Sequence, residues 1–161
     1  MATRFQGSAA ETRALDLFIK LMRTHNALTA HARALIAGFD LQPSQFGILE
    51  TLYHLGPMQQ HELAAKLLQT PGNITRILDK LEQEGLVQRG SEPGDRRCHR
   101  IALTKQGEKR ISTVFPRFAA AMHDLFKGLS ADEQKQLNDL LRKTGKNLTY
   151  SLKNDQKQKG D

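Results

Sequence analysis

Residues 70–85 limit most tightly what this chain can fold into. Thr70-Pro71 reads as a helix N-cap followed by proline at the first helical position, where a missing N–H costs nothing, and Gly85 offers a C-terminal stop. Between them Ile74, Ile77, Leu78 and Leu81 recur at three- and four-residue spacing, which predicts a helix with one buried face. Asn73, Thr75, Arg76, Asp79, Lys80 and Gln83 then fall on or beside the other face. A polar face of hydrogen-bonding residues of this length suits insertion into a DNA major groove.

The flanking sequence fits that reading. Pro43-Ser44 opens a short helix carrying Phe46, Leu49, Leu52 and Tyr53 that stops at Gly56-Pro57, and a further helix over His61–Leu68 turns Leu63, Ala64, Leu67 and Leu68 inward. Small Ala64 suits a helix crossing, with Ile74 and Ile77 packing beneath it ten and thirteen positions on. After Gly85, Leu86–Arg89 and His99–Leu103 are strand candidates joined by a turn-rich loop, Gly90 to Arg97, giving a hairpin with a basic tip. From Leu86 to Arg110 there are seven Lys and Arg against three acids, an excess of +4 out of a chain total of +7. An isolated basic hairpin is usually a solvated loop. Beside a helix-turn-helix, arginine at its tip is suited to a minor groove. Residues 43–103 therefore read as a winged helix-turn-helix.

Longer helices enclose this lobe. From Glu11 to Ala37, Leu15, Phe18, Ile19 and Met22 mark one apolar stripe, and Leu17, Leu21 and Leu28 widen it beyond what a lone surface helix needs. Thr104 caps a helix running to about Lys127 with Pro116 inside it, and Ser130-Ala-Asp-Glu is a capping-box start for a last helix with Leu137, Leu140, Leu141 and Leu148. The expected fold is mainly α with a small β-wing, in which residues 11–38 and 104–152 form a dimerisation layer and residues 1–10 and 153–161 are flexible ends.

Composition narrows the function. A chain of 161 residues is about one domain, and a net charge of +7 favours an anionic partner. The single cysteine, Cys98, excludes an internal disulfide, and neither a membrane span nor a signal peptide is legible, so a cytoplasmic protein without a membrane partner is expected. Cys98 and His99 are neighbours on a strand, so their side chains point to opposite faces and cannot pair as nucleophile and base. There is no Gly-rich phosphate loop before a helix and no H-E-x-x-H, and the six histidines include no pair at three- or four-residue helical spacing. No enzymatic activity, cofactor or metal is expected.

Thr75-Arg-Ile-Leu-Asp-Lys-Leu-Glu-Gln-Glu-Gly-Leu-Val-Gln-Arg89, then Asp95-Arg-Arg97, then Ile101-Ala-Leu-Thr104-Lys-Gln-Gly107, resembles the recognition helix, wing and wing exit of MarR-family transcriptional regulators. The resemblance covers nearly the whole chain. It implies a homodimer on a pseudo-palindromic operator in double-stranded DNA, most often a repressor relieved by a small phenolic or aromatic effector or by an oxidant. Asp95 and Arg97 match the family's Asp-x-Arg wing motif, in which the carboxylate steadies the arginine that enters the minor groove. Thr70, Asn73, Thr75, Arg76 and Lys80 match recognition-helix positions that meet bases or phosphates, and Arg96 and Arg100 add charge to the wing. His25, Asn26 and His31 on the first helix are candidates for lining an effector cleft, with ordinary exposed or interfacial residues as the alternative.

The family's peroxide sensors carry a reactive cysteine in the first helix, and this chain has none there. Cys98 sits instead among Arg96, Arg97, His99 and Arg100, a field that favours thiolate, so redox control through the wing stands as an alternative. An architectural DNA-binding protein without a regulated operator is the rival class.

Overall fold

The computed structural model describes the backbone of residues 5–92 and 95–158, and side chains over residues 5–90 and 100–147. Six helices and three strands follow in the order α1 (Ala9–Ala37), α2 (Pro43–Leu55), β1 (Met58–Gln59), α3 (Gln60–Lys66), α4 (Pro71–Gln83), β2 (Val87–Glu92), β3 (Asp95–Leu103), α5 (Lys105–Phe126) and α6 (Ala131–Gln158). Two compact units divide within α5, after Phe118. Among the described residues no helix is long and apolar enough to cross a membrane.

In the first unit the core lies between the short helices and the sheet. Ile48 and Leu49 of α2, Leu63 of α3, and Ile74, Leu78 and Leu81 of α4 are almost wholly shielded, together with Val87, Ile101, Ile111 and Val114 from the sheet and α5. Ala64 joins Ile74 and Ile77 in this core. Gln45, buried at the start of α2, has both sides of its amide satisfied. Its Oε1 accepts from the Gln42 backbone N–H at 2.9 Å and its Nε2 donates to Glu84 at 3.0 Å, which ties α2 to the end of α4.

Gly47 interrupts α2 where alanine would be better by about 1 kcal/mol on intrinsic propensity. A Cβ there would lie 3.4 Å from Leu67 Cδ2, an ordinary contact. Gly47→Ala is therefore expected to raise unfolding stability by up to about 1 kcal/mol, read by urea denaturation at fixed protein concentration.

Several boundaries differ from the sequence expectation, each for a local reason. The first helix begins at Ala9 rather than Glu11, because Ser8 and Glu11 cap it reciprocally: Glu11 accepts from the Ser8 backbone N–H at 2.7 Å while the Ser8 hydroxyl accepts from the Glu11 N–H at 3.2 Å. The hydrogen bonds from Ser8 hold the Glu11 carboxyl below its usual pKa. The last helix continues to Gln158, past the expected end at 152.

Leu68 does not turn inward. α3 ends at Lys66, and the reversal into the Thr70 cap puts Leu68 in the left-handed region, φ 51°, with 92% of its surface exposed. The stretch Gly90 to Arg97, expected as a loop, is largely strand: β2 runs through Glu92 and β3 starts at Asp95, with a register irregularity between Ser91 and Glu92. A third strand, β1, was not expected. It pairs antiparallel with β3, Met58 opposite Ile101, giving the sheet order β1-β3-β2.

α1 gives the core only Ile36, and Leu17, Phe18, Leu21 and Met22 stand exposed along it. In the second unit Leu137, Leu140 and Leu141 form a similar uncovered stripe on α6. Ser130 and Glu133 cap that helix reciprocally, and the hydrogen bond from the Ser130 backbone, with a second from its hydroxyl, lowers the Glu133 pKa.

Candidate nucleic-acid interface

The polar face of α4 follows from its capping and its apolar stripe. Thr70 adopts an extended conformation and its hydroxyl accepts from the Asn73 N–H at 3.4 Å, with Pro71 next in line, so the helix starts where the sequence placed it. With Ile74, Ile77, Leu78 and Leu81 buried, Thr70, Thr75, Arg76, Asp79 and Lys80 are exposed and Asn73 is half-buried.

These side chains are partly pre-engaged. The Thr75 hydroxyl donates to the Pro71 carbonyl at 2.9 Å and accepts from Gln60 Nε2 at 2.7 Å, bridging α3 and α4. Asn73 Nδ2 donates to Gln69, and Arg76 donates to Asn73 Oδ1 at 3.2 Å, so Gln69, Asn73 and Arg76 form a chain along the helix start. Lys80 lies 3.8 Å from Glu84, a loose exposed pair worth little in stability.

Arg89 of β2 is the side chain that sequence reasoning placed in the basic count without a role. Its guanidinium forks between Asp79 at 2.5 Å and Glu82, and its backbone N–H donates to Glu82 at 3.2 Å. Burial pushes this guanidinium's pKa down, but the hydrogen bond to Asp79 and the charges of Glu82 and Asp79 outweigh it and raise the pKa. The pairing bridges two carboxylates on the exposed side of α4, offsetting one of their two negative charges, and fastens the first wing strand to that helix. Asp79 followed by Glu82 was the readable signal, since acids three apart share a helix face.

Arg100 is half-buried in β3 and donates to the Pro57 carbonyl at 3.3 Å, so its guanidinium reaches toward the chain entering β1. Asp95, Arg96, Arg97 and Cys98 belong to β3 by backbone, and their side chains lie outside the described residues. His25, Asn26 and His31 are all exposed on α1. A more concentrated aromatic group, not singled out in the sequence, forms where α2 meets α5: the rings of His54 and Phe115 are 4.5 Å apart edge to face, and Tyr53 lies 5.1 Å from His54. Tyr53 and His54 are adjacent in sequence, but only the packing of α5 on α2 brings Phe115 to them.

Two short helices sharing one core, the second capped and with an exposed polar face, and an antiparallel hairpin fastened to it by Arg89 define a winged-helix DNA-binding protein. A MarR family model matches residues 41–99, the span from the start of α2 into β3. The chain is 33% identical over 135 residues to the HTH-type transcriptional regulator MhqR of Bacillus subtilis (strain 168), covering 84% of this chain and 93% of that protein. It is similar in fold to a MarR family protein from Bacillus stearothermophilus, with 27% identity, a TM-score of 0.67, and 85% of this chain and 96% of that one covered. CouR from Rhodococcus jostii RHA1, solved bound to p-coumaroyl-CoA, is similar with 26% identity and a TM-score of 0.73 over 79% of this chain and 90% of that one. The chain belongs to the MarR family of DNA-binding transcriptional regulators.

Proposed function

We propose that this regulator is a homodimeric repressor that occupies a pseudo-palindromic operator and leaves it when a small aromatic effector binds. The observation that carries the reading is the division of α4 into a fully buried apolar face and an exposed face bearing Thr75, Arg76 and Lys80. In this reading Thr70, Asn73, Thr75, Arg76 and Lys80 meet bases or phosphates in the major groove. Arg97, steadied by Asp95, reaches the minor groove, while Arg96 and Arg100 add attraction for phosphate.

Dimerisation is supported by the uncovered apolar stripes on α1 and α6, which are larger than scattered surface leucines. Effector control is supported by the Tyr53, His54 and Phe115 group, in which Tyr53 and His54 are exposed and offer stacking surface beside the half-buried Phe115, and by the ligand bound to the similar CouR. His25, Asn26 and His31 remain candidate effector contacts. The test is to recover bound genomic fragments and compare affinity for the recovered site with that for unrelated duplex of equal length. A regulator should prefer its site by about 10³-fold or more, whereas a ratio near one would make the protein an architectural DNA binder. Release by small phenolic compounds tests effector control. Release by peroxide in the parent but not in Cys98→Ser would instead assign control to that thiol.

Two variants probe the contacts. Arg97→Ala should weaken operator binding by about 1–3 kcal/mol with the dimer intact, and Asp95→Ala should do part of the same damage, both measured by titration of a labelled operator. Parent-like binding by both would remove the wing from the interface. Affinity should also fall steeply with salt, with a log-log slope of about −0.9 per phosphate neutralised, and Arg76→Ala or Lys80→Ala should reduce that slope by roughly one per half-site. An unchanged slope takes the residue off the phosphate contacts.

A further inference from the structure

Gln60 is the first residue of α3, and only the packing of α3 on α4 brings it to the polar face, where it meets Thr75, fifteen positions on. Its partner decides which way its amide points. Thr75 has a single hydroxyl proton, and that proton goes to the Pro71 carbonyl at 2.9 Å inside α4. The Thr75 oxygen can therefore only accept, so Gln60 turns Nε2 toward it, at 2.7 Å, and Oε1 away. One Nε2 proton is used in that bond. The other N–H and the Oε1 acceptor share the amide plane at the exposed edge of the face that carries Thr75 and Arg76. Gln59 is committed elsewhere: its backbone N–H donates to Glu62 at 2.8 Å and its side chain completes the capping box of α3. β1 also pairs Gln59 with Arg100 of β3, so the start of α3 is held by the sheet as well as by α4.

We infer that Gln60 is a base-reading residue and that it reads the major-groove edge of adenine, with Thr75 as its positioning residue. The chemistry sets the base. Adenine offers an N7 acceptor and an N6 donor in the major groove, the complement of one amide N–H and one amide oxygen. Guanine offers two acceptors there, and its O6 would face Oε1 with no proton between them. Thr75 holds the amide before DNA arrives. This lowers the cost of ordering a long side chain on binding and blocks the flip that would exchange donor for acceptor. In the operator-binding reading on which this rests, each half-site then carries one adenine read from α3 beside the bases met by α4.

The test is selection by the full chain from duplexes carrying about 20 randomised base pairs, enough for two half-sites a helical turn apart, followed by base-by-base substitution of the selected site. In the parent, replacing one particular adenine of a half-site by guanine should weaken binding by about tenfold. Gln60→Ala should erase the preference at that pair and leave the preferences elsewhere in place. Gln60→Glu, whose carboxylate only accepts, should move the preferred base there from adenine to cytosine, whose N4 group donates. A merely structural role for the side chain would not redirect a single base preference, and the near-isosteric Gln60→Glu guards against a misfolded alanine variant. Thr75→Val should also relax the adenine preference, and combining it with Gln60→Ala should cost no more at that pair than Gln60→Ala alone. Parent-like profiles in both Gln60 variants would overturn the assignment while operator recognition stands. A loss in Gln60→Ala that is equal for every sequence, with the salt slope lowered by about one per half-site, would make Gln60 a phosphate contact and overturn it as a base reader. Relaxation at a pair where the parent does not prefer adenine would refute the adenine edge. A selection that enriches no sequence would sink the operator reading itself, and this assignment with it.

Discussion

Leu17→Glu combined with Leu21→Glu is expected to convert the protein to a folded monomer that no longer holds its operator tightly. Leu17 is 69% and Leu21 44% exposed in the single chain, so neither substitution removes core packing, and far-ultraviolet circular dichroism should match the parent. In a two-fold dimer each substitution acts on both protomers, burying four carboxylates in an apolar contact. An unpaired buried charge is costly enough that the dimer should dissociate at working concentration. DNA binding then loses the effective concentration that links the two half-sites, and affinity should drop by about 10²–10⁴-fold. Leu140→Glu, on the α6 stripe, should act in the same direction. Sedimentation velocity reads the first effect and operator titration the second. A double variant that sediments as a dimer would remove this face of α1 from the interface.

Gly107→Ala should be strongly destabilising for so small a change. The start of α5 is docked on the backbone that leaves α4: the Thr104 N–H donates to the Leu86 carbonyl at 3.1 Å, the Thr104 hydroxyl donates to the Gly85 carbonyl at 2.6 Å and also accepts from the Gly107 N–H at 3.0 Å. A Cβ on Gly107 would overlap the Leu86 carbonyl oxygen, a backbone atom that no rotamer change can move. Relief requires α5 to lift away from Leu86, disturbing the neighbouring Val87 and Ile111 of the core. The helix-propensity gain of about 1 kcal/mol is small beside this, and a net loss of about 3 kcal/mol is expected. Urea unfolding at fixed concentration should show it as a lowered midpoint with an unchanged slope. A parent-like midpoint would mean that α5 does not sit on Leu86 so closely. Gly47→Ala, with the opposite expected sign, is the internal comparison.

How far each element could be read depended on where its stabilising contacts lie. α4 was legible almost to the residue because its cap, its proline and its apolar spacing are all within one short segment, and its core residues are buried as expected. The Ser8 cap was equally local and was passed over in favour of Glu11, the residue that completes the same box. β1 has two residues, too few for any period, and is a strand only because β3 offers it hydrogen-bonding partners. Gly90, Ser91 and Glu92 read as a turn by composition, yet the ladder opposite Arg100 and His99 keeps the chain extended.

Sequence alone determined the helical class, the recognition-helix face, the basic hairpin and the family resemblance, because each rests on periodicity, capping or charge over neighbouring residues. Tertiary structure alone decided that Arg89 bridges Asp79 and Glu82, that His54 and Phe115 meet edge to face, that Leu68 turns outward and that Gly107 sits against a carbonyl. Those facts depend on how separately formed elements meet. Local spacing carries a helix's own hydrogen bonds and faces, whereas the meeting of two elements is set by packing across the core, which no segment encodes by itself.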